Sequence, residues 1–287
     1  YLFKDRDFFF KTEETYLITE KTGISAQDRK LTIEILFEQY NIDGLSFVNE
    51  EYLSLIASNR STGVVLDSGG GVTTIVPFYQ GKKQKKGIRR LSVGGRDITD
   101  FLYEMIYDYD YQNESYLNKG DVCSIKEKYG YVALDYEKEL LKSKSNSIIN
   151  IKYAIPLKLC DEHFSCAEIL FNPEKFNYSH MGIDKALYDS VINCNPEMQN
   201  SLFSNIIPVG GNAKLKGFIE RLDKEITKVK PSAKVINLQN KCDLQMIALE
   251  AGVDFAKGPD FHERVVTLNE YNEAGYKIFD RKCPIDS

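Results

Sequence analysis

Apolar positions first recur at helical spacing at Ile33, Leu36, Phe37 and Tyr40, predicting an amphipathic helix over 30–40 and a second over 50–57. The period then switches to that of a sheet. Residues 62–67 and 72–79 are β-branched, apolar runs on either side of Ser68-Gly69-Gly70-Gly71, which is a hairpin pattern. A charged turn over 81–90 leads to a short strand at 91–93. Asp97 is then placed to cap a helix whose Ile98, Phe101, Leu102 and Met105 share one face. The polar stretch 108–119 reads as a surface excursion, 121–129 as a helix, and 142–149 as a loop. Helices are predicted at 183–192 and 197–204, and a strand at 206–209 ends in Gly210-Gly211. The strongest stripe follows: Leu215, Phe218, Ile219, Leu222, Ile226 and Val229, closed by Pro231. A strand at 235–238 and a helix at 244–256 complete the pattern. Strands alternating with helices place the chain in the α/β class.

Composition narrows the function classes. With 287 residues, 43% hydrophobic and 28% charged, the chain is ordinary globular protein, long enough for one large domain or two lobes. A formal net charge of -5 argues against a general nucleic-acid binder, so no nucleic acid is expected as a partner. The basic run 82–90 has two readings: a solvated hairpin edge whose lysines discourage sheet-to-sheet pairing, or a nuclear-import or nucleic-acid patch. The first is the commoner meaning. Six cysteines without a C-x-x-C pair, and only three histidines, fit reduced thiols in cytosol or nucleus better than a zinc site or disulfide framework. No apolar run is long enough to cross a bilayer, so no membrane partner is expected. The chain opens at Tyr1 without a methionine, the expectation being a fragment or a processed product.

Candidate chemistry lies in two glycine-rich turns, Asp67 to Gly71 and Gly210-Gly211-Asn212. Each follows a strand, and the second precedes the strongest predicted helix. Glycine lets backbone N–H groups approach phosphate oxygens, and a helix N-terminus adds favourable partial charge. Asp67, at a strand end, could hold a magnesium ion directly or through water. Spacing alone leaves open the plain alternative that these turns merely reverse the chain.

Resemblance adds to this. Residues 62–81 (TGVVLDSGGGVTTIVPFYQG) resemble the second phosphate-binding hairpin of the actin family, and 95–102 (GRDITDFL) its next signature. Further matches are 125–137 (IKEKYGYVALDYE), 164–171 (FSCAEILF), Gly210-Gly211, 223–227 (DKEIT), 270–275 (EYNEAG) and 281–283 (RKC), in family order and at nearly constant spacing. The resemblance covers essentially the whole chain. It implies an α/β actin-like ATPase fold with ribonuclease H-like lobes, lacking its N-terminal part. Residue 1 aligns well inside a typical member, so the first phosphate loop and the small outer subdomain are expected to be missing. The implied division is 1–92 as the remainder of the first lobe, 93–245 as the second lobe, and 246–287 as the return to the first.

Carried over position by position, the resemblance makes Asp67 the acidic residue beside nucleotide-bound magnesium. Ser68, Gly69, Gly70, Gly71, Gly210, Gly211 and Asn212 become phosphate and nucleotide contacts, and Lys126 and Glu127 line the nucleoside pocket, where a carboxylate can accept from ribose hydroxyls. ATP and magnesium are the implied cofactors. Other positions depart from the family. Glu50 stands where a glutamine positions the attacking water; it is the one catalytic candidate, as a base that would also repel a triphosphate. Gly70 replaces an aspartate, Thr74 a histidine, and Leu215 and Gln245 a tyrosine and a lysine near the adenine. Drift in a site released from turnover is the simpler account, so hydrolysis is expected to be impaired. Without the opposite phosphate loop, charge-assisted bonds of roughly 1.5–3 kcal/mol each would be lost, and nucleotide affinity with them.

The family's filament contacts also change. The loop after Phe171, residues 172–180, is more polar than the apolar plug of actin; Leu249, Glu250 and Asp254 alter a helix where partners insert apolar side chains, and 284–287 run past the usual end. The implied function is an actin-like cytoskeletal protein that binds ATP with magnesium, weakly or not at all as this chain, and joins filaments or actin-related assemblies in the cytoplasm. Its partners would be other actin-family subunits or actin-binding proteins. The alternative is a non-polymerising actin-related scaffold subunit in a chromatin-remodelling or dynactin-type complex, with a nuclear location. A sugar kinase or chaperone ATPase of the same fold superfamily is a third reading, and the C-terminal matches count against it.

Overall fold

The computed structural model describes residues 14–109, 117–146, 149–152 and 156–284. Parts of the predicted 108–119 excursion and 142–149 loop, and the extension past residue 284, lie outside the described residues. The chain divides into two compact units, one of residues 1–61, 81–83 and 246–287, the other of 62–80 and 84–245.

In the first unit, the strand Thr15–Glu20 runs parallel to Gly44–Asn49 in full register, and Val266–Thr267 adds antiparallel to the start of the latter. Glycine at position 44 has a steric cause: a Cβ there would stand 2.9 Å from Thr15 Oγ1 and from Val265 Cγ1. The first helix begins earlier than its apolar pattern predicts, at Ala26, because Ser25 accepts hydrogen bonds from the amides of Gln27 and Asp28. It widens into a π-turn at Ile35–Gln39, and adjacent Leu36 and Phe37 are both buried. They join a core with Ile33, Ile42, Leu45, Phe47, Val266 and Phe279, in which the Phe37 and Tyr271 rings stack at 4.6 Å. The helix Glu50–Ala57, capped by Asn49, packs against Ile247–Phe255. A buried charge pair also holds this unit. Arg29 Nε lies 2.8 Å from Glu20 Oε1, Nη2 donates to the Cys283 carbonyl at 2.6 Å, and the guanidinium covers the Phe47 ring. Burial pushes the Glu20 carboxyl up, and Arg29 opposes that shift.

The second unit is organised on Gly63–Ser68. This strand pairs antiparallel with Thr73–Tyr79 on one side and parallel with Ile206–Val209 on the other; Arg89–Leu91 extends the sheet beside Thr73–Tyr79. Both middle strands are buried on both faces, which explains their continuous rather than alternating apolar runs. Helices Gly95–Tyr109, Lys119–Tyr129, Tyr136–Asn146, Glu162–Glu168, Ile183–Ile192, Pro196–Phe203 and Phe218–Val229 belong to this unit, with a separate hairpin of Ile149–Lys152 and Pro156–Leu159. Arg221 is its counterpart to Arg29 and is better satisfied. It meets Glu168 through two bonds of 3.0 and 3.2 Å, Glu225 at 2.7 Å and the Ala133 carbonyl at 2.6 Å.

Several predicted elements shift. Residues 142–146, read as loop, are the end of the helix Tyr136–Asn146, and the short strand expected at 91–93 is Arg89–Leu91. The predicted strand at 235–238 shrinks to one bridge between Val235 and Ile206, because Asn237 turns the chain by accepting from the Gln239 amide. The strongest helix starts at Phe218, not 215: Gly217 sits at φ +83, where a Cβ would strike the Val132 carbonyl at 2.2 Å. No helix among the described residues is long and apolar enough to cross a membrane. The six cysteines are all free thiols.

Candidate functional site

The parallel pairing of Gly63–Ser68 with Ile206–Val209 sets Asp67 opposite Val209, so both glycine turns leave the sheet at the same end. Side chains then tie them together. The Asn212 amide donates from Nδ2 to Ser68 Oγ at 3.0 Å and to the Gly69 carbonyl at 2.9 Å. Ser68 and Thr73 hydroxyls meet at 2.9 Å, and Thr73 donates to the Val93 carbonyl at 2.9 Å. Since the Thr73 proton is committed to Val93, Ser68 must donate to Thr73 while accepting from Asn212. The chain of bonds therefore runs one way, from Asn212 through Ser68 and Thr73 to Val93. All three side chains are buried.

The hairpin carbonyls are held from behind. Gly95 N donates to the Gly69 carbonyl at 2.9 Å and Arg96 N to that of Gly70 at 2.7 Å. Gly94 is required for this approach, since a Cβ there would lie 2.7 Å from the Gly69 oxygen. The front of the turns is open. Among the described residues, a Cβ at Gly70 or Gly211 would meet nothing within 4 Å, and at Gly71 only the Arg96 guanidinium at 3.9 Å. Anchored carbonyls behind and uncrowded glycines in front make a cradle suited to an anion.

Lys126 belongs to this cluster and is buried. Its ammonium donates to the Gly95 carbonyl and the Thr99 hydroxyl, each at 2.9 Å, bracing the start of Gly95–Tyr109. Glu127, one residue on, is exposed and accepts from the Cys123 thiol. Glu50 lies in the other unit, accepting from Thr19 Oγ1 at 3.1 Å with Lys21 3.6 Å away. Asp67 is buried, and its Oδ1 would be 2.5 Å from a Cβ on Gly210. The structure thus gathers Asp67, Ser68, Gly69, Gly70, Gly71, Lys126, Gly210, Gly211 and Asn212. Among the described residues, no three His, Cys, Asp or Glu side chains gather as a metal site. A magnesium ion here would be carried by phosphate oxygens and water, with Asp67 as the nearby carboxylate, which fits that ion's preference.

One expected contribution is absent. The turn Gly210-Gly211 runs into a short 3-10 segment, Gly211–Lys214, so the helix Phe218–Val229 does not point its N-terminus at it. Sequence reasoning gave no role to Gly94 or Arg96, although the Gly94-Gly95 doublet after a strand was a visible signal. Thr73 and Asn212 as bridges carried no such signal.

Beyond the cradle, on the Lys214 side, is a cavity of about 580 Å³ lined by Lys214, Lys216, Gly217, Glu220, Gln239, Cys242, Asp243 and Leu244. Its wall touches the second turn, because the Gly210 amide donates to the Leu244 carbonyl at 2.9 Å. Leu215 is buried, and Gln245 is exposed.

Comparison with known proteins agrees in one direction. A family model described as actin matches residues 1–284. The chain is similar to "Putative actin-29" of Dictyostelium discoideum, 31% identical over 268 residues that make up 90% of this chain and 69% of that protein.

Proposed function

The chain belongs to the actin family, and from that premise we propose that it binds a nucleoside triphosphate with magnesium on its two glycine turns and works as an actin-like cytoskeletal protein in the cytoplasm. The observation that carries this reading is the Asn212 bridge to Ser68 and Gly69, which holds the turns side by side with open space before Gly70, Gly71 and Gly211. Backbone amides there would face the phosphates, Asp67 would hold water on the magnesium, and Arg96 would add a positive charge at the rim. The ion's chemistry is to neutralise the phosphate oxygens. Ser68 and Asn212 act as positioning residues, since their side-chain hydrogens are spent on the network.

Calorimetric titration of ATP and GTP, with magnesium and with EDTA, tests this. Magnesium should tighten binding to the native chain, and Asp67→Asn should remove roughly tenfold of that gain. If neither nucleotide gives saturable binding up to millimolar concentration, the reading fails.

A second reading, the non-polymerising scaffold subunit, draws support from the loop after Phe171. There Phe176 packs edge-on against Phe101 at 4.9 Å and Tyr136 at 6.1 Å, Tyr178 lies 6.0 Å from Phe101, and Lys175 sits over the Tyr136 ring. Its aromatic side chains are spent within their own unit, not offered to a neighbour. Leu249 and Val253, by contrast, stand exposed one turn apart on Ile247–Phe255, a face for an apolar partner segment. Sedimentation with magnesium and nucleotide separates the readings: pelleting favours the filament, and a soluble chain at every concentration favours the scaffold.

A further inference from the structure

We propose that Ser92 is a phosphoacceptor for a basophilic serine kinase, and that a phosphate there weakens nucleotide binding at the first glycine turn. The second half rests on the nucleotide reading above; the first half does not. The basic run 82–90 leads into Arg89-Arg90-Leu91-Ser92, which sets guanidinium groups three and two residues before a hydroxyl. Kinases of this class read such a pattern with carboxylates beside the catalytic groove, because a planar guanidinium pairs with a carboxylate through two bonds.

The fold presents the acceptor. Ser92 is exposed, at a bend that follows the strand Arg89–Leu91. Among the described residues that strand pairs only with Thr73–Tyr79, so the segment before the acceptor is already extended, as a kinase groove requires. The two arginines are not equivalent. Arg90 is exposed. Arg89 is engaged within its own unit: Nε meets Asp189 Oδ2 at 2.5 Å, and Nη1 donates to the Lys86 and Ile88 carbonyls at 2.9 and 2.8 Å. Arg90 therefore carries most of the recognition, and Asp189 competes with the kinase for Arg89. Val93 is buried, so the residue after the acceptor contributes nothing to it.

In the transfer, Ser92 Oγ attacks the γ-phosphorus of the kinase's ATP. The new O–P bond forms as the bond to the β,γ-bridging oxygen breaks, ADP leaves, and the kinase's catalytic carboxylate takes the hydroxyl proton. The product carries about −1.5 to −2 charges at neutral pH. Leu91 pairs with Thr73, and Gly71 precedes Thr73 by one intervening residue, so this charge stands on the order of 10 Å from the first turn. That is about one Debye length at physiological salt, close enough to repel a nucleotide's phosphates and far enough for salt to screen.

Incubating the folded chain with the catalytic subunit of cyclic-AMP-dependent protein kinase and magnesium ATP, then mapping by mass spectrometry, should find Ser92 phosphorylated. Ser92→Ala should abolish the incorporation. Arg90→Ala should lower kcat/KM for the phosphorylation roughly tenfold, and Asp189→Asn should raise it about twofold by freeing Arg89. Melting curves of these variants should match the native chain, since all three side chains lie wholly or partly at the surface. Absence of incorporation, incorporation that survives Ser92→Ala, or indifference to Arg90→Ala overturns the site. Calorimetric titration with magnesium ATP should find the phosphorylated chain about fivefold weaker than the unmodified one, the gap closing at about 0.5 M salt. Equal affinity, or a gap indifferent to salt, overturns the effect on the nucleotide. If the unmodified chain binds no nucleotide, the nucleotide reading falls and the effect with it, while the phosphoacceptor stands on its own assay.

Discussion

The two glycine turns look alike in sequence, yet their glycines answer to different demands. Gly210 has φ +90 and ψ 170, a conformation almost closed to other residues, and a Cβ there would come within 2.5 Å of Asp67 Oδ1 and of the Ser68 carbonyl. Its lack of a side chain is dictated by the fold. Gly70 and Gly71 have ordinary φ, are exposed, and border empty space. Nothing among the described residues forbids alanine at either position. A glycine that the fold does not need is one that a ligand's approach would explain.

The comparison breaks most visibly at Gly210. Gly210→Ala combines a forbidden backbone with a clash against backbone and a buried carboxylate, so it should lower stability by about 3 kcal/mol or more. Gly94→Ala, which clashes with the hairpin from behind, should cost a similar amount. Urea unfolding followed by far-UV circular dichroism measures both. A loss below about 1 kcal/mol for Gly210→Ala would mean that the turn relaxes and the distinction is false.

The next effect concerns the bond that joins the turns. Asn212→Ala removes both donors from Ser68 and Gly69, but Gly69 keeps its bond from Gly95 and Ser68 keeps Thr73. A loss of about 2 kcal/mol is expected. In a double-mutant cycle with Ser68→Ala, the two losses should fall short of additive by about 1 kcal/mol, since they share one bond. Strict additivity would show that Asn212 acts through packing, not through the chain of hydrogen bonds.

How much of this could be read in advance follows from distance along the chain. The hairpin was legible because β-branched runs and three glycines lie within eighteen residues, and local chemistry suffices to fold it. The α/β class and the actin-like fold were legible for the same reason, as a series of local matches. The Asn212 bridge was not: it joins residues 144 positions apart, and no periodicity marks a buried amide. Nor was the inward turn of Lys126, whose buried ammonium serves the first turn of a helix 31 residues earlier. Arg29 is another case, a charge inside an apolar core whose partners are Glu20 and a carbonyl 254 residues away. Gly217 misled in the opposite sense. The apolar stripe runs through it unbroken, but its positive φ moves the helix start and takes the helix N-terminus away from the glycine turn. Apolar spacing reports which face is buried and is silent on where the backbone must turn.

The smallest stability effect is the most informative one. Gly70→Ala and Gly71→Ala place a methyl in open space at an ordinary φ, so each should leave unfolding within about 0.5 kcal/mol of the native chain. If alanine restricts the unfolded state, the sign should even be slightly favourable. Nucleotide affinity should move the other way, because the methyl occupies the position a phosphate oxygen would take against the amides. A drop of roughly tenfold or more in ATP and GTP binding, with unchanged unfolding, would separate a ligand's demand from the fold's. Unchanged binding in both variants would mean that the first turn, however open, is only a turn.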